Sequence, residues 1–168
     1  KGAPVCVGLD PVLEKLPDAL DRNDPVAAIE RFCFGVIDAV AEHVPAVKPQ
    51  AACFERYGGA GMDVYHRVVH HAKAAGLVVV GDAKRGDIGS TAEGYAQAYL
   101  ADGAPFECDA LTVNPYMGLD TIAPYVREAK ANGKGVIVLT RTSNPGSADY
   151  QKRDLEGAPL FMRVAESL

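Results

Sequence analysis

Residues 81–91 read GDAKRGDIGST and set Asp82, Lys84 and Asp87 within six positions, with Arg85 among them. Charged groups are costly to bury unless they are paired. So dense a knot is either a solvated loop or a built site. It follows directly on the apolar run LVVV at 77–80, which reads as a buried strand. Where strand geometry persists, Asp82 and Lys84 point the same way, and Asp87 lies in the loop beyond. Carboxylates on both sides favour the ammonium form of a lysine. That disfavours a Schiff-base lysine, which works by being neutral. It suits a fixed cation that also donates a proton. Decarboxylation without an electron sink needs such a group. Loss of carbon dioxide leaves an electron pair on carbon, which a preplaced cation stabilises and can protonate. A carboxylate set against the leaving carboxylate repels it, a strain relieved on departure.

The elements that must hold these groups alternate along the chain. Apolar, β-branched runs at 3–10, 45–50, 77–84, 110–115 and 134–143 read as strands. Amphipathic stretches at 24–44, 61–76, 90–103, 119–133 and 159–168 read as helices. Asp24 is an expected N-cap with Pro25 at the first helical position. Gly76 is an expected stop, and Ser90 with Glu93 resembles a capping box. Pro124 must fall in the first turn or two of its helix. Strands alternating with helices predict a parallel sheet covered on both faces, either an open doubly wound sheet or an eight-fold barrel. Asp10, Lys48, Asp82 with Lys84, Asn114, and Thr142 with Ser143 fall at the C-terminal ends of five successive strands. A barrel gathers such residues around one mouth. No G-x-G-x-x-G follows the first strand, which disfavours a dinucleotide fold. The expected class is therefore α/β, a (β/α)8 TIM barrel, with 1–168 forming a single, partial barrel domain. Only about five of the eight β/α units are present. The exposed edges of so short a sheet call for further units or for a partner that closes the sheet.

Composition narrows the functional classes. The 168 residues are 48% hydrophobic and 23% charged, with a formal net charge of −5. No basic cluster suits nucleic acid, and the apolar runs are too short to span a membrane. No signal peptide is visible, although the chain opens at Lys1 rather than methionine. Cys6, Cys33, Cys53 and Cys108 form no C-x-x-C pair and are expected to be reduced structural thiols of a cytoplasmic protein. His66 and His70 stand four apart on a helix, yet with His71 they fall off its apolar stripe, so a solvated outer face is expected. Glu55, Arg56 and Tyr57 are assigned no chemistry.

The segment DAKRGDIGST is similar to the signature of the orotidine 5'-phosphate decarboxylase family, with its Asp-x-Lys-x-x-Asp core. CVGLDP (6–11), VKPQAACFERYG (47–58), TVNPYMG (112–118) and TSNPG (142–146) occur in the order of that family's second subgroup. The resemblance covers essentially the whole chain. It implies a dimeric barrel with shared active sites, converting orotidine 5'-phosphate to UMP and carbon dioxide with neither metal nor organic cofactor. It implies Lys84 as proton donor, Asp82 as the carboxylate facing that of the substrate, and Lys48 as the lysine bonding Asp82 and the ribose. It implies Asp87 as the aspartate contributed by the neighbouring subunit. Asp10 matches a ribose ligand, Thr91 a ribose contact given across the dimer, and Ser143 the serine reading the pyrimidine edge. The phosphate-gripping loops expected after the seventh and eighth strands have no counterpart, so the chain by itself is expected to bind substrate poorly.

Three other readings compete. A metal-dependent sugar-phosphate decarboxylase of the same suprafamily would carry an acidic ligand where this chain has Lys48. A truncated chain could serve only as a dimerisation or scaffold module, against which the intact Asp82, Lys84 and Asp87 weigh. An aldolase-type barrel is disfavoured by the acidic surroundings of Lys84.

Overall fold

The computed structural model describes residues 4–168; the expected start of the first strand at Ala3 lies outside them. Five strands form one sheet: β1 (Cys6–Leu9), β2 (Ala46–Pro49), β3 (Val78–Arg85), β4 (Ala110–Val113) and β5 (Gly135–Val138). They are parallel and ordered β1-β2-β3-β4-β5. Each strand therefore lies beside its neighbour in the chain. A doubly wound sheet reverses its strand order at a switch point, and this sheet never does. The sequential order is that of an arc of a β/α barrel, five units long.

Register decides what each face of the arc carries. Cys6 pairs with Ala46 and Ala46 with Val78, while Gly8 pairs with Lys48 and Val80 with Ala110. Thr112 pairs with Ile137, and Gln50 bridges Asp82. By strand alternation, Cys6, Gly8, Lys48, Gln50, Asp82 and Thr112 share the inner face. Leu9, Val47, Val79, Leu111 and Val113 occupy the outer face and are fully buried under the helices. The inner face is apolar low down and polar at the C-terminal ends of the strands. It is open to solvent low down at Val78, 48% exposed, and along the β5 edge at Ile137, 45% exposed.

The helices are α1 (Pro25–Val40), α2 (Ala52–Glu55), α3 (Gly58–Ala74), α4 (Gly89–Leu100), α5 (Leu119–Ala131), α6 (Ser147–Tyr150) and α7 (Leu160–Ser167). Asp24 caps α1 as expected, its carboxylate accepting from the amides of Val26 and Ala27, each at 3.1 Å. Pro25 opens the helix, which buries Ala28, Ile29, Cys33 and Ile37. Gly76 ends α3 in the left-handed region at φ +72°. Pro124 lies in the second turn of α5. The capping box at Ser90 does not form. Helix α4 starts one residue earlier, after an extended Ile88 with no side-chain cap, and Glu93 instead accepts from Arg127 of α5 at 2.9 Å. Strand β5 is shorter than the apolar run suggested and ends at Val138. Helices α2 and α6, at four residues each, are too short to show a helical period. So is the hairpin of Asp154–Leu155 with Ala158–Pro159. It turns on Glu156 and Gly157, both at positive φ, the pattern of a type I′ turn.

Between sheet and helices the aromatic rings of Phe54, Tyr65, Tyr99 and Phe106 pack together, with centroids 5.3 to 6.4 Å apart. Glu107 clamps the base of this layer. It accepts from Lys73 of α3 at 2.5 Å and lies 3.2 Å from the nearly buried ammonium of Lys134. The hydrogen bond from Lys73, aided by the Gly103 amide and Lys134, outweighs burial and holds its carboxyl at about 2. All four cysteines are free, and burial pushes the thiols of Cys33 and Cys108 up to about 12. The histidines depart from expectation. His66 bonds the carbonyl of Pro105, and His71 bonds Asp38 at 2.6 Å while stacking on Phe34. Both tie α3 to neighbouring elements, and only His70 belongs to an exposed face.

Candidate active site

Asp82 is the centre of the polar end of the sheet. It is 5% exposed, on a strand whose outer neighbours, Val79 and Gly81, are buried. One carboxylate oxygen, Oδ2, accepts from Lys48 Nζ and from Gln50 Nε2, the latter at 3.1 Å. The other, Oδ1, accepts from Lys84 Nζ and lies 3.2 Å from the Thr112 hydroxyl. Strands β2, β3 and β4 thus converge on a single carboxylate. Burial works to raise its pKa, but hydrogen bonds from Lys48 and Lys84 prevail and hold it below the usual carboxylate range. Lys48 shows the reverse balance: burial works to lower its pKa, and the bond to Asp82, with the nearby charge of Asp10, raises it above the ordinary lysine value. Lys48, Asp82 and Lys84 together carry one net positive charge at neutral pH.

Lys84 meets Asp82 on one side of the strand, as alternation foresees, but through an irregular stretch of backbone. The pairing of β3 with β4 shifts between Gly81 and Arg85, and Lys84 sits at φ +49°. A lysine in the left-handed region is strained by about 1–3 kcal/mol. Its side chain still bonds Asp82, and its amide donates to Thr112 Oγ1 at 2.9 Å. Beyond it, Gly89 opens α4 at φ +52°. Gly86 is needed for close approach: a Cβ there would stand 3.0 Å from the carbonyl oxygen of Asn114.

The remaining sequence candidates surround this trio. Asp10 follows the end of β1 with its carboxylate folded over Gly8, where a Cβ would lie 2.6 Å from Oδ2. Its charge acts on Lys48, across the β1–β2 pairing. Asp87 turns back on its own loop and accepts from the Ile88 amide at 2.8 Å. Among the described residues no hydrogen bond or ion pair joins it to Lys84. Thr91 is exposed in the first turn of α4. Ser143 is exposed in the loop after β5, beside Arg141, Asn144 and Lys152. Gln151 steadies that loop by exchanging two 2.8 Å bonds with the amide and hydroxyl of Thr142. Asn114 Oδ1 accepts from the Tyr116 amide at 3.0 Å, which serves the backbone. The structure therefore joins Lys48, Asp82 and Lys84 directly, sets Asp10 beside them, and leaves Asp87 and Ser143 on loops and Thr91 in the first turn of α4.

Gln50 and Thr112 were not expected to take part. Gln50 follows Lys48 by two, just beyond the end of β2, and Thr112 precedes Asn114 by two. Extending the period-two pattern inward from those residues was the available signal. Among the described residues, no three His, Cys, Asp or Glu side chains gather as a metal would require, and no helix is long and apolar enough to cross a membrane.

Residues 3–161 match the model of the "Orotidine 5'-phosphate decarboxylase / HUMPS family". The chain is 48% identical to the orotidine 5'-phosphate decarboxylase of Rhodopirellula baltica, over 98% of this chain and 58% of that protein. A crystal structure assigned as orotidine 5'-phosphate decarboxylase from Streptomyces avermitilis superposes with a TM-score of 0.89 at 42% identity, covering 98% of this chain and 57% of that one. The Leishmania donovani OMP decarboxylase superposes at 0.81 and 38% identity, covering 96% and 58%. The chain thus spans under two thirds of the length of these relatives.

Proposed function

Because the chain belongs to the orotidine 5'-phosphate decarboxylase / HUMPS family, we propose that the protein it forms part of converts orotidine 5'-phosphate to UMP and carbon dioxide. The observation that carries this reading is Asp82, nearly buried and held between the ammonium groups of Lys48 and Lys84. In the reaction the bond between C6 and the substrate carboxylate breaks, and its electron pair stays on C6. Carbon dioxide leaves, and Lys84 Nζ gives a proton to C6. Asp82 faces the departing carboxylate, while its bonds hold Lys84 in place before the charge develops, so little reorganisation is needed. Lys48 orients Asp82 and binds the ribose with Asp10, and Ser143 reads the pyrimidine edge.

The same reading makes the enzyme a cytoplasmic homodimer that works without metal or organic cofactor. Asp87 and Thr91 reach the neighbouring subunit's site, which accounts for their lack of bonds to Lys84 here. An exposed apolar patch beside them supports such a partner: Ile88 is 61%, Tyr116 87%, Met117 43% and Leu119 49% exposed. The metal-dependent alternative meets an ammonium at Lys48 where it needs an anionic ligand.

The test is Lys84→Ala in the whole-length protein. Orotidine 5'-phosphate turnover should fall by more than about 1000-fold, equivalent to about 4 kcal/mol of barrier, with the circular dichroism spectrum unchanged. A variant retaining a tenth of the wild-type rate rules out Lys84 as the proton donor.

A further inference from the structure

Immediately after Lys84 the chain sets a second cation on the opposite face of β3. The Arg85 side chain is 22% exposed and lies between sheet and helices, where its strand neighbours are apolar. Its guanidinium pairs with Glu55 at the end of α2. It donates to the Tyr99 hydroxyl of α4 at 3.3 Å and lies 5.4 Å and 5.8 Å from the ring centroids of Tyr95 and Tyr99. Its Nε is buried without a partner. The main chain is held as well, since the Arg85 carbonyl accepts from the Asn114 amide of the β4 loop at 2.8 Å. Arg85 is thus tied to α2, α4 and β4 at once.

Stability alone does not call for a cation here. An aliphatic side chain would fill the layer without an unpaired Nε–H, and buried ion pairs are often no better than apolar packing. What the arrangement does is hold the residue after Lys84. Left free, Lys84 would relax from φ +49° towards the extended well, which moves the backbone that seats its amide on Thr112 Oγ1 and changes the approach of its ammonium to Asp82. The planar, forked guanidinium resists both sliding and rotation of the strand, which a lysine at the same position does not.

We propose that Arg85, locked by Glu55 and the Tyr95–Tyr99 rings, is a positioning residue that keeps the β3 bulge in place and Lys84 on Asp82. Its effect on turnover rests on the decarboxylase reading, whereas its effect on the backbone does not. In the whole-length protein, Arg85→Met should lower kcat about 100-fold and change KM for orotidine 5'-phosphate less than about threefold. In a Lys84→Ala background it should change the residual rate no further, because both substitutions remove the same lysine. Arg85→Lys should recover only part of the rate, and Glu55→Gln should fall between wild type and Arg85→Met. The crystal structure of Arg85→Met should show Lys84 at negative φ, its Nζ off Asp82. Should that variant not fold, the same readouts are taken on Arg85→Lys and Glu55→Gln. Wild-type kcat in these variants, or Lys84 still left-handed and bonded to Asp82, overturns the proposal. If the wild-type protein lacks decarboxylase activity, the proposed reaction fails, and the Lys84 backbone in the variants still decides the role of Arg85.

Discussion

Asp82 carries opposite demands. It must be buried to hold two lysines rigidly, and it must stay ionised to attract them. Bonds from Lys48 and Lys84 outweigh its burial and depress its pKa, while that of Lys48 is raised. A depressed carboxyl contributes stability above its unfolded value, near 4, and loses it as pH falls through the folded value. A raised lysine contributes fully below its unfolded value, near 10.4, and loses the contribution as pH rises through the folded value. Asp82→Asn leaves two ammonium groups without their counterion. It should therefore cost about 1–3 kcal/mol near neutral pH. The Tm difference between wild type and this variant should be flat from about pH 5 to 10 and shrink outside that window. A difference that grows on acidification would contradict the ion-pair account. The trio was legible in the sequence because Lys48, Asp82 and Lys84 are charged residues at the ends of apolar strands. Gln50 and Thr112 were not, being neutral and ordinary in strands. Nothing in the order of residues marked Lys84 as left-handed.

Among the elements, the junction of α2 and α3 sets the depth at which Glu55 meets Arg85. Gly61, in the first turn of α3, makes that junction possible. A Cβ there would collide with the carbonyl oxygen of Phe54 and lie 2.8 Å from the Cβ of Tyr57. The colliding atom is backbone, so the two helices must separate. Gly61→Ala should destabilise the protein by about 3 kcal/mol, measured as a lower midpoint of urea unfolding at unchanged slope. A midpoint equal to that of wild type would show that the junction is not tightly constrained. The long helices were foreseeable from their apolar period, and α1 from its Asp-Pro start. The supposed cap at Ser90 was not realised. Glu93 bonds across to α5, and the turn into α4 falls at Gly89.

For the whole molecule, the arc leaves its inner face and both edge strands open, and it leaves Asp87 bonded to its own loop rather than to Lys84. The proposed sharing of sites in a two-fold dimer makes complementation the decisive measurement. Lys84→Ala and Asp87→Asn proteins of whole length, each inactive, should regain about a quarter of wild-type activity when dissociated, mixed in equal amounts and reassociated. Half the dimers are then mixed, and each has one of two sites intact. Proven heterodimers without recovered turnover would exclude sites shared through Asp87.

The sequence by itself determined the order of strands and helices, the outer apolar faces and the charges at the strand ends. These follow from local periodicity and from the cost of burying an unpaired charge. It also carried the family, through motifs spread over nearly the whole chain. Only the tertiary structure decided how the rest of GDAKRGDIGST is used. Arg85 is clamped behind Asp82 and Lys84, and Asp87 turns back on Ile88. That use depends on the shifted register between β3 and β4 and on contacts from α2 and α4, more than ten residues away in the chain. Long-range packing, rather than local preference, puts a lysine into the left-handed conformation.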